Sequence, residues 1–194
     1  FSKTLSPDDN FKFVNSFLSR FGPVIREHRG IVNHYFSTGM MSLFPQNSQD
    51  AIQAAIQIRE ALIVYNRHRS TSGYPAIDVG IAIHKGPLML GVIGEEERLE
   101  SNVISDKVSL AHILQRLTVT VGSSILITED ALATVQHTDL FLCRSLGRVR
   151  IPEHSEPLKL FDVYQGDPEP VRNLKHKTKR AFEEAALMYQ EGRF

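Results

Sequence analysis

The sequence predicts an α+β fold, a sandwich in which helices alternate with strands that pair largely antiparallel. Two patterns support this prediction: apolar residues recur with helical spacing in some segments, and short runs rich in Ile, Val and Leu lie between those segments. Apolar residues make up 42% of the 194 residues and charged residues 23%, which excludes a disordered chain. The length is ample for one domain with a sizeable core and a short extension.

Charge and cysteine content exclude several classes of protein. The 22 basic and 22 acidic residues cancel, which argues against a chain that coats nucleic acid or an anionic membrane. A single cysteine, Cys143, excludes a disulfide scaffold and a cysteine-rich zinc site, and it indicates a reducing, cytoplasmic location. No apolar run approaches the roughly 20 residues of a membrane-spanning helix. Because the chain begins at Phe1, we expect a piece of a longer protein, and any membrane attachment would come from a segment upstream.

The first half of the chain predicts two long helices with a β-hairpin between them. Ser6, followed by proline and two aspartates, is typical of a helix N-terminus, and Gly30 ends that helix. Two short apolar runs around a Ser-Thr-Gly turn indicate the hairpin. The predicted elements are a helix over residues 6–28, strands over residues 31–36 and 40–44, and a helix over residues 50–65.

The second half predicts several strands and two further helices before the final segment. Runs rich in Ile, Val and Leu indicate the strands, and a polar turn between the last two runs indicates an antiparallel pair. Thr128 and the two acids after it are typical of a short capped helix. The predicted strands cover residues 77–83, 88–93, 102–105, 124–127, 140–151 and 158–164, and a helix covers residues 106–117.

The C-terminal segment is predicted to be a separate helical extension. Gly-Asp-Pro-Glu-Pro at residues 166–170 marks a boundary, which divides a domain of residues 1–165 from an extension of residues 166–194. The final residues, with the pattern Ala-Leu-x-Tyr-x-x-Gly-Arg-Phe, resemble the first helix of a tetratricopeptide-type hairpin. A single terminal helix docked on the domain is the other interpretation.

Three segments together resemble the catalytic domain of class III nucleotide cyclases. Residues 30–45, GIVNHYFSTGMMSLFP, are similar to the family hairpin GTIDKYIGDAIMAFF. Residues 79–94, VGIAIHKGPLMLGVIG, are similar to GIGIHTGxxxxGxIG, and residues 103–115, VISDKVSLAHILQ, are similar to VIGDxVNLAARLE. The segments stand in the family order and spacing, and the likeness extends over residues 1–165. It implies a ferredoxin-like α+β core, with its first strand upstream of Phe1, that dimerises head to tail.

The resemblance also implies where a nucleotide site would lie, in a groove between two protomers. In the family, two aspartates of one protomer hold two divalent metal ions, Mg²⁺ or Mn²⁺, on the triphosphate. The first aspartate position lies upstream of Phe1, and the second falls on Thr38, whose hydroxyl brings no charge to the cation. Phe1 and Ser2 match the aromatic and hydroxyl residues that follow the first aspartate and contact phosphate through their backbone.

The other protomer of the family supplies the groups that select the base, orient the ribose and stabilise the transition state. The base-selecting lysine falls on His34, and the base-selecting aspartate is kept as Asp106. The ribose-orienting asparagine falls on Ser109, and the transition-state arginine falls on Ile113. An arginine of that kind is worth roughly 10³–10⁵ in rate. Of the family positions that this chain contains, only Asp106 keeps the family residue.

Two of these assignments have simpler interpretations. Asp106 lies where it would cap the helix that it opens. His34, His84 and His112 lie on different predicted elements without the short spacings of metal ligands, which favours ordinary polar or surface histidines.

The retained framework and the substituted chemistry predict a degenerate member of the family. We expect a catalytically inactive pseudo-cyclase that dimerises, with itself or with another cyclase-type domain, in intracellular signal transduction and needs no cofactor. One alternative is an active adenylate or guanylate cyclase, which would use Mg²⁺ or Mn²⁺. The other is a purine nucleotide sensor, with Asp106 and His34 on the base and the backbone of Phe1 and Ser2 on phosphate.

Overall fold

The computed structural model describes residues 6–36, 39–95, 98–152 and 154–193, and it confirms the predicted α+β class. Five helices and eight strands follow one another along the described chain, with a short 3₁₀ helix before β7. The helices are α1 (Pro7–Glu27), α2 (Ser48–Thr71), α3 (Asp106–Val121), α4 (Glu129–Leu132) and α5 (Glu169–Gln190). The strands are β1 (Ile31–Phe36), β2 (Gly39–Leu43), β3 (Ile81–Ile83), β4 (Met89–Glu95), β5 (Arg98–Ile104), β6 (Ile125–Thr128), β7 (Cys143–Val149) and β8 (Leu158–Val163).

A four-stranded sheet with the order β3-β6-β8-β7 forms the centre of the described fold. β6 runs parallel to β3, whereas β8 is antiparallel to both β6 and β7. All four residues of β6 are buried, so this strand lies in the middle of the core. The predicted hairpin of β1 and β2 is confirmed, and β4 and β5 form a second antiparallel hairpin.

Three apolar clusters hold the helices to this sheet. Ile52 and Ile56 of α2 pack with Ile127 of β6, and the other face of α2 packs against α1 around Phe21. Leu114 of α3 packs in a third cluster with buried residues in and next to the late strands β7 and β8. Among the described residues, no helix is both long enough and apolar enough to span a bilayer.

The predicted strand over residues 77–83 is too long, because side chains of α2 form hydrogen bonds with the backbone in the first half of that segment. The Asn66 side chain donates to the Ile77 carbonyl at 2.8 Å and accepts from the Ile77 amide at 2.9 Å. Arg59 donates to the Val79 carbonyl at 2.9 Å. Only Ile81–Ile83 pairs with a neighbouring strand, and α2 continues six residues beyond the predicted end at residue 65 to provide these contacts.

The hairpin of β4 and β5 is longer than predicted. β5 covers Arg98–Ile104, whereas the sequence predicted only residues 102–105, and it pairs with β4 along its whole length. Every residue of β4 is exposed, so this hairpin extends away from the core. The strand was predicted too short because the sequence of β5 shows no alternation of apolar and polar residues. Neither side of its partner strand β4 is buried, so burial does not impose such an alternation.

The C-terminal segment forms one helix, α5, which packs beside β7. It begins at Glu169, two residues before the predicted start, and the carboxylate of Glu183 accepts the backbone amide of Ser145 in β7 at 2.7 Å. The guanidinium carbon of Arg144 lies 4.2 Å from the ring centroid of Phe182. The division into residues 1–165 and 166–194, and the tetratricopeptide-type hairpin, stay predictions.

Candidate functional site

The N-terminus of α3 places Asp106 on the surface. Ser105 is the capping residue: its hydroxyl accepts the amide of Lys107 at 3.1 Å and donates to the Pro87 carbonyl at 2.8 Å. Asp106 is therefore the first residue of the helix, and the interpretation that it caps the helix is wrong. The serine bond to Pro87 also ties α3 to the loop between β3 and β4.

The Asp106 carboxylate is exposed and ionised. The ammonium of Lys107 lies 3.0 Å from it, and the hydrogen bond and positive charge of Lys107 hold the pKa of Asp106 below its ordinary value. The aliphatic stem of Lys107 lies so close to Gly86 that a Cβ at residue 86 would come within 2.5 Å of it. This carboxylate can accept hydrogen bonds from a ligand, but its charge is already balanced by the next residue.

His34 lies on β1 and is connected to α3 through a tilted and an edge-on contact between rings. Its ring centroid is 4.7 Å from that of Phe36, and Phe36 makes an edge contact with His112 at 5.8 Å. Asp106 precedes His112 by six residues, roughly 9 Å along the helix axis. Among the described residues, no hydrogen bond or ion pair joins His34 to Asp106. We call the surface formed by His34, Phe36, Asp106, Ser109 and His112 the α3–β1 face.

Ser109 and Ile113 follow Asp106 on α3 at spacings of three and four residues, which places them on one side of the helix. Ser109 is exposed. Ile113 is half-buried and packs against the cluster of Leu110, Leu114, Ile151 and Leu160. The position to which the resemblance assigns an arginine therefore holds a side chain that belongs partly to the core.

The predicted phosphate and metal positions at Phe1, Ser2 and Thr38 lie outside the described residues. The hairpin sequence over residues 31–44 contains no aspartate or glutamate, the ligands that Mg²⁺ and Mn²⁺ prefer. In the described parts of the chain, no group of three or more His, Cys, Asp or Glu side chains is arranged to hold a metal. The donors among the described residues of the hairpin do not fit a pair of divalent ions.

Phe36 of the α3–β1 face and Lys107, which pairs with Asp106 of that face, are two residues that sequence reasoning missed. Phe36 follows His34 by two residues on a strand, so the period of two already places both on the same side. Lys107 stands directly after Asp106, and the resemblance gives that position no role. Contacts between side chains in the structure reveal both residues, whereas the family pattern indicates neither.

His84 directly follows β3 and is half-buried, and the sequence did not predict its surroundings. Its Nδ1 lies 3.1 Å from the hydroxyl of Thr128, the residue predicted to cap α4. That hydroxyl makes no cap bond to the helix, and the buried Nε2 of His84 has no partner among the described residues. Burial lowers the pKa of His84, and the positive charge of Lys107 lowers it further, while Asp130 opposes the shift.

We expect His84 to make the fold less stable in acid. Its pKa in the folded state lies below the ordinary value of 6.5, so the unfolded chain binds more protons as the pH falls below about 6.5. The stability conferred by the neutral ring is present above pH 6.5 and is lost as the pH falls through the folded pKa. The free energy of unfolding, measured with urea between pH 5 and 8, should fall less with decreasing pH in His84→Gln than in the parent chain. The exposed control His137→Gln should behave like the parent chain. An equal dependence of the free energy of unfolding on pH in all three proteins would contradict this assignment.

No family model matches this chain. The adenylate cyclase of Anabaena cylindrica is 33% identical over 168 residues, which cover 84% of this chain and 34% of that protein. The terminal-differentiation specific adenylate cyclase of Dictyostelium discoideum is 28% identical over 178 residues, 88% of this chain and 8% of that protein. The chain thus spans about a third of the length of the first relative and less than a tenth of the length of the second.

Solved structures show a similar fold. The guanylyl cyclase Cya2 superposes with a TM-score of 0.72 at 23% identity, and the match covers 87% of each chain. The relatives match over most of this sequence, and the solved structure matches over most of this fold.

Proposed function

Because this chain belongs to the class III nucleotide cyclase family, we propose that it is a cyclase-homology signalling module that has lost the cyclisation reaction. The observation that carries the proposal is the packing of Ile113 against the core cluster, at the position of the family's transition-state arginine. An isoleucine brings neither a charge nor a donor to the phosphate. Loss of such an arginine costs roughly 10³–10⁵ in rate.

Cyclisation of a nucleoside triphosphate places heavy electrostatic demands on a site. The 3′ oxygen must become nucleophilic, and negative charge on the α-phosphate and the leaving pyrophosphate must be neutralised. The residues at this site offer little positive charge. Lys107 is paired with Asp106, and residues 31–44 contain no carboxylate that could bind a cation. These features support binding or scaffolding and argue against turnover.

A cyclase assay tests this proposal. We expect no cyclic nucleotide above the level without protein, with ATP or GTP and with Mg²⁺ or Mn²⁺. The chain should be extended upstream to include the strand that the resemblance places before Phe1, so that a missing first carboxylate does not explain silence. The Anabaena cylindrica relative serves as the active control. Turnover by folded protein would overturn the proposal.

We further propose that the module works as a dimer, with a second copy or with another cyclase-type domain. Support comes from the hairpin of β4 and β5, whose apolar side chains are exposed on both sides, among them Met89, Leu90, Val92 and Ile93. Contiguous apolar surface of this kind is typical of an interaction site. In a reducing cytoplasm such a dimer would pass on a state set by other parts of a longer protein.

Catalytic activity is the second candidate, since both relatives described above carry the name adenylate cyclase. In this chain it would need a cation from a partner domain to replace the arginine lost at Ile113. Mixing the chain with candidate partner domains in the same assay separates the two functions, because activity that appears only in the mixture would identify a mixed dimer.

Purine nucleotide binding without turnover is the third candidate, favoured by the exposed Asp106 and His34 of the α3–β1 face. A ligand that binds only the folded state raises the melting temperature by mass action. Thermal shift with ATP and with GTP, each with and without Mg²⁺, should therefore show a rise that disappears in Asp106→Ala. No rise at saturating nucleotide would leave the scaffold role.

A further inference from the structure

The helix α5 contacts the domain mainly through polar side chains, together with Ala186 and the ring of Phe182, and presents other apolar side chains to solvent. The polar residues turned toward the domain are Arg172, Lys175, Lys179 and Glu183, each buried or half-buried. Leu174, in contrast, is 62% exposed. We define the outward stripe as the residues that follow one another in steps of three and four along the exposed side: Val171, Leu174, Thr178, Ala181, Ala185 and Met188.

Buried ion pairs fix the rotation of α5 about its axis. The Lys175 side chain is 9% exposed, and its ammonium lies 2.7 Å from Asp167 and 2.9 Å from Asp162. Glu183 accepts the amide of Ser145 on the edge strand β7. Turning the stripe inward would leave these buried charges without partners, which is strongly unfavourable. The apolar side chains therefore cannot be covered by the domain itself.

The outward stripe has the spacing of a short coiled-coil seam. Its members alternate between the two heptad positions that face a partner helix, over two and a half repeats. Lys177, Glu184 and Glu191 follow one another at intervals of seven and flank the stripe on one side. The flank is thus basic toward the N-terminus of the helix and acidic toward its C-terminus.

This distribution complements itself when two copies of the helix run antiparallel. With Val171 level with Met188 of the second copy, Leu174 faces Ala185, and each layer combines a larger with a smaller side chain. Lys177 is then level with position 182 of the second copy, and Glu184, two residues further along the second copy, lies within reach of it; the twofold axis repeats the pair. In a parallel arrangement the alanine layers would face each other and leave gaps, and the lysine would meet no acid.

We propose that the outward stripe of α5 pairs antiparallel with the same stripe of a second copy of this chain. The contact is separate from the hairpin of β4 and β5 and does not depend on the cyclase-type dimer. Two different twofold contacts on one chain produce assemblies larger than a dimer. Self-association through α5 would thus link pairs of modules to one another.

Sedimentation equilibrium tests the contact in a Val92→Lys background, which weakens the hairpin contact and isolates α5. Leu174→Glu should weaken the remaining self-association about 100-fold. The matched control is Leu187→Glu, because Leu187 is 57% exposed on the same helix but lies outside the stripe. Circular dichroism verifies that both variants are folded. Equal association of the two variants, or a monomeric background chain, would overturn the proposal.

Charge exchange tests the antiparallel register. Lys177→Glu and Glu184→Lys should each weaken self-association roughly tenfold, since each replaces two attractive pairs with two repulsive ones. Mixing the two variants should restore association, because both pairs become attractive again. Failure of the mixture to associate better than either variant alone would exclude this register and the proposal with it. Neither result depends on cyclase activity.

Discussion

Replacement of Asp162 by asparagine is expected to lower the free energy of unfolding by about 3–5 kcal/mol. Asp162 lies fully buried on β8, where Arg144 donates to it at 3.0 Å, Lys175 at 2.9 Å and the hydroxyl of Ser123 at 2.7 Å. A neutral amide of the same size keeps the volume but removes the carboxylate that pairs with Arg144, and it leaves Lys175 with Asp167 alone. Urea unfolding followed by circular dichroism measures the difference.

Glu129→Gln is the matched control for this substitution. Glu129 also pairs with a lysine, Lys159 at 2.8 Å, but the two side chains are 47% and 35% exposed, so the expected loss is below about 1 kcal/mol. Should the asparagine variant not fold, Lys175→Met tests the same network, because it removes the cation shared by Asp162 and Asp167. Similar losses in the free energy of unfolding for the buried and the exposed pair would show that burial does not determine how much this network contributes to stability.

The order and type of the elements were predictable because each one carries its own periodic pattern. The helix start at Ser6 and the hairpin over residues 31–44 depend on neighbours within a few positions, and both were predicted correctly. The strand before Ile81 was not, since Asn66 binds the backbone of Ile77 from another element eleven residues away. Such side-chain bonds to distant backbone leave no period in a sequence.

The site was predictable as a set of positions but not as an arrangement. The resemblance identified His34, Asp106, Ser109 and Ile113, and the structure places them on β1 and α3. It did not indicate that Ile113 packs with Leu110 and Leu114, because a family pattern assigns a residue type to a position and does not indicate the neighbours of that position in the fold. Which side of α3 is buried is decided by the late strands that pack on it, and their position is a property of the whole fold.

The same reasoning applies to α5. Its sequence predicts a charged helix, and the usual expectation is that the apolar side of such a helix faces the domain. A mainly polar side faces the domain instead, because Asp162 and Asp167 are buried and Lys175 pairs with both. Charges far apart in the sequence thus override the amphipathic pattern and leave the outward stripe available for a partner.

Val92→Lys is expected to weaken the hairpin-mediated dimer by about 30- to 1000-fold, which corresponds to about 2–4 kcal/mol for a central apolar contact. Val92 is 67% exposed on β4, level with Ser101 of β5, so the substitution removes no core contact. A lysine there places a charge in an apolar interface and, in a twofold dimer, does so twice. Sedimentation equilibrium in a Leu174→Glu background measures this contact without a contribution from α5.

Val119→Lys provides the control in the same background. Val119 is 85% exposed on α3, so it carries the same substitution at a site outside the hairpin and outside α5. A lysine in the last turn of a helix is well tolerated, because it interacts favourably with the negative end of the helix dipole. We expect this variant to dimerise like the background chain. If the two lysine variants dimerise equally well, the hairpin does not form the dimer contact, and the exposed apolar side chains of β4 need another partner.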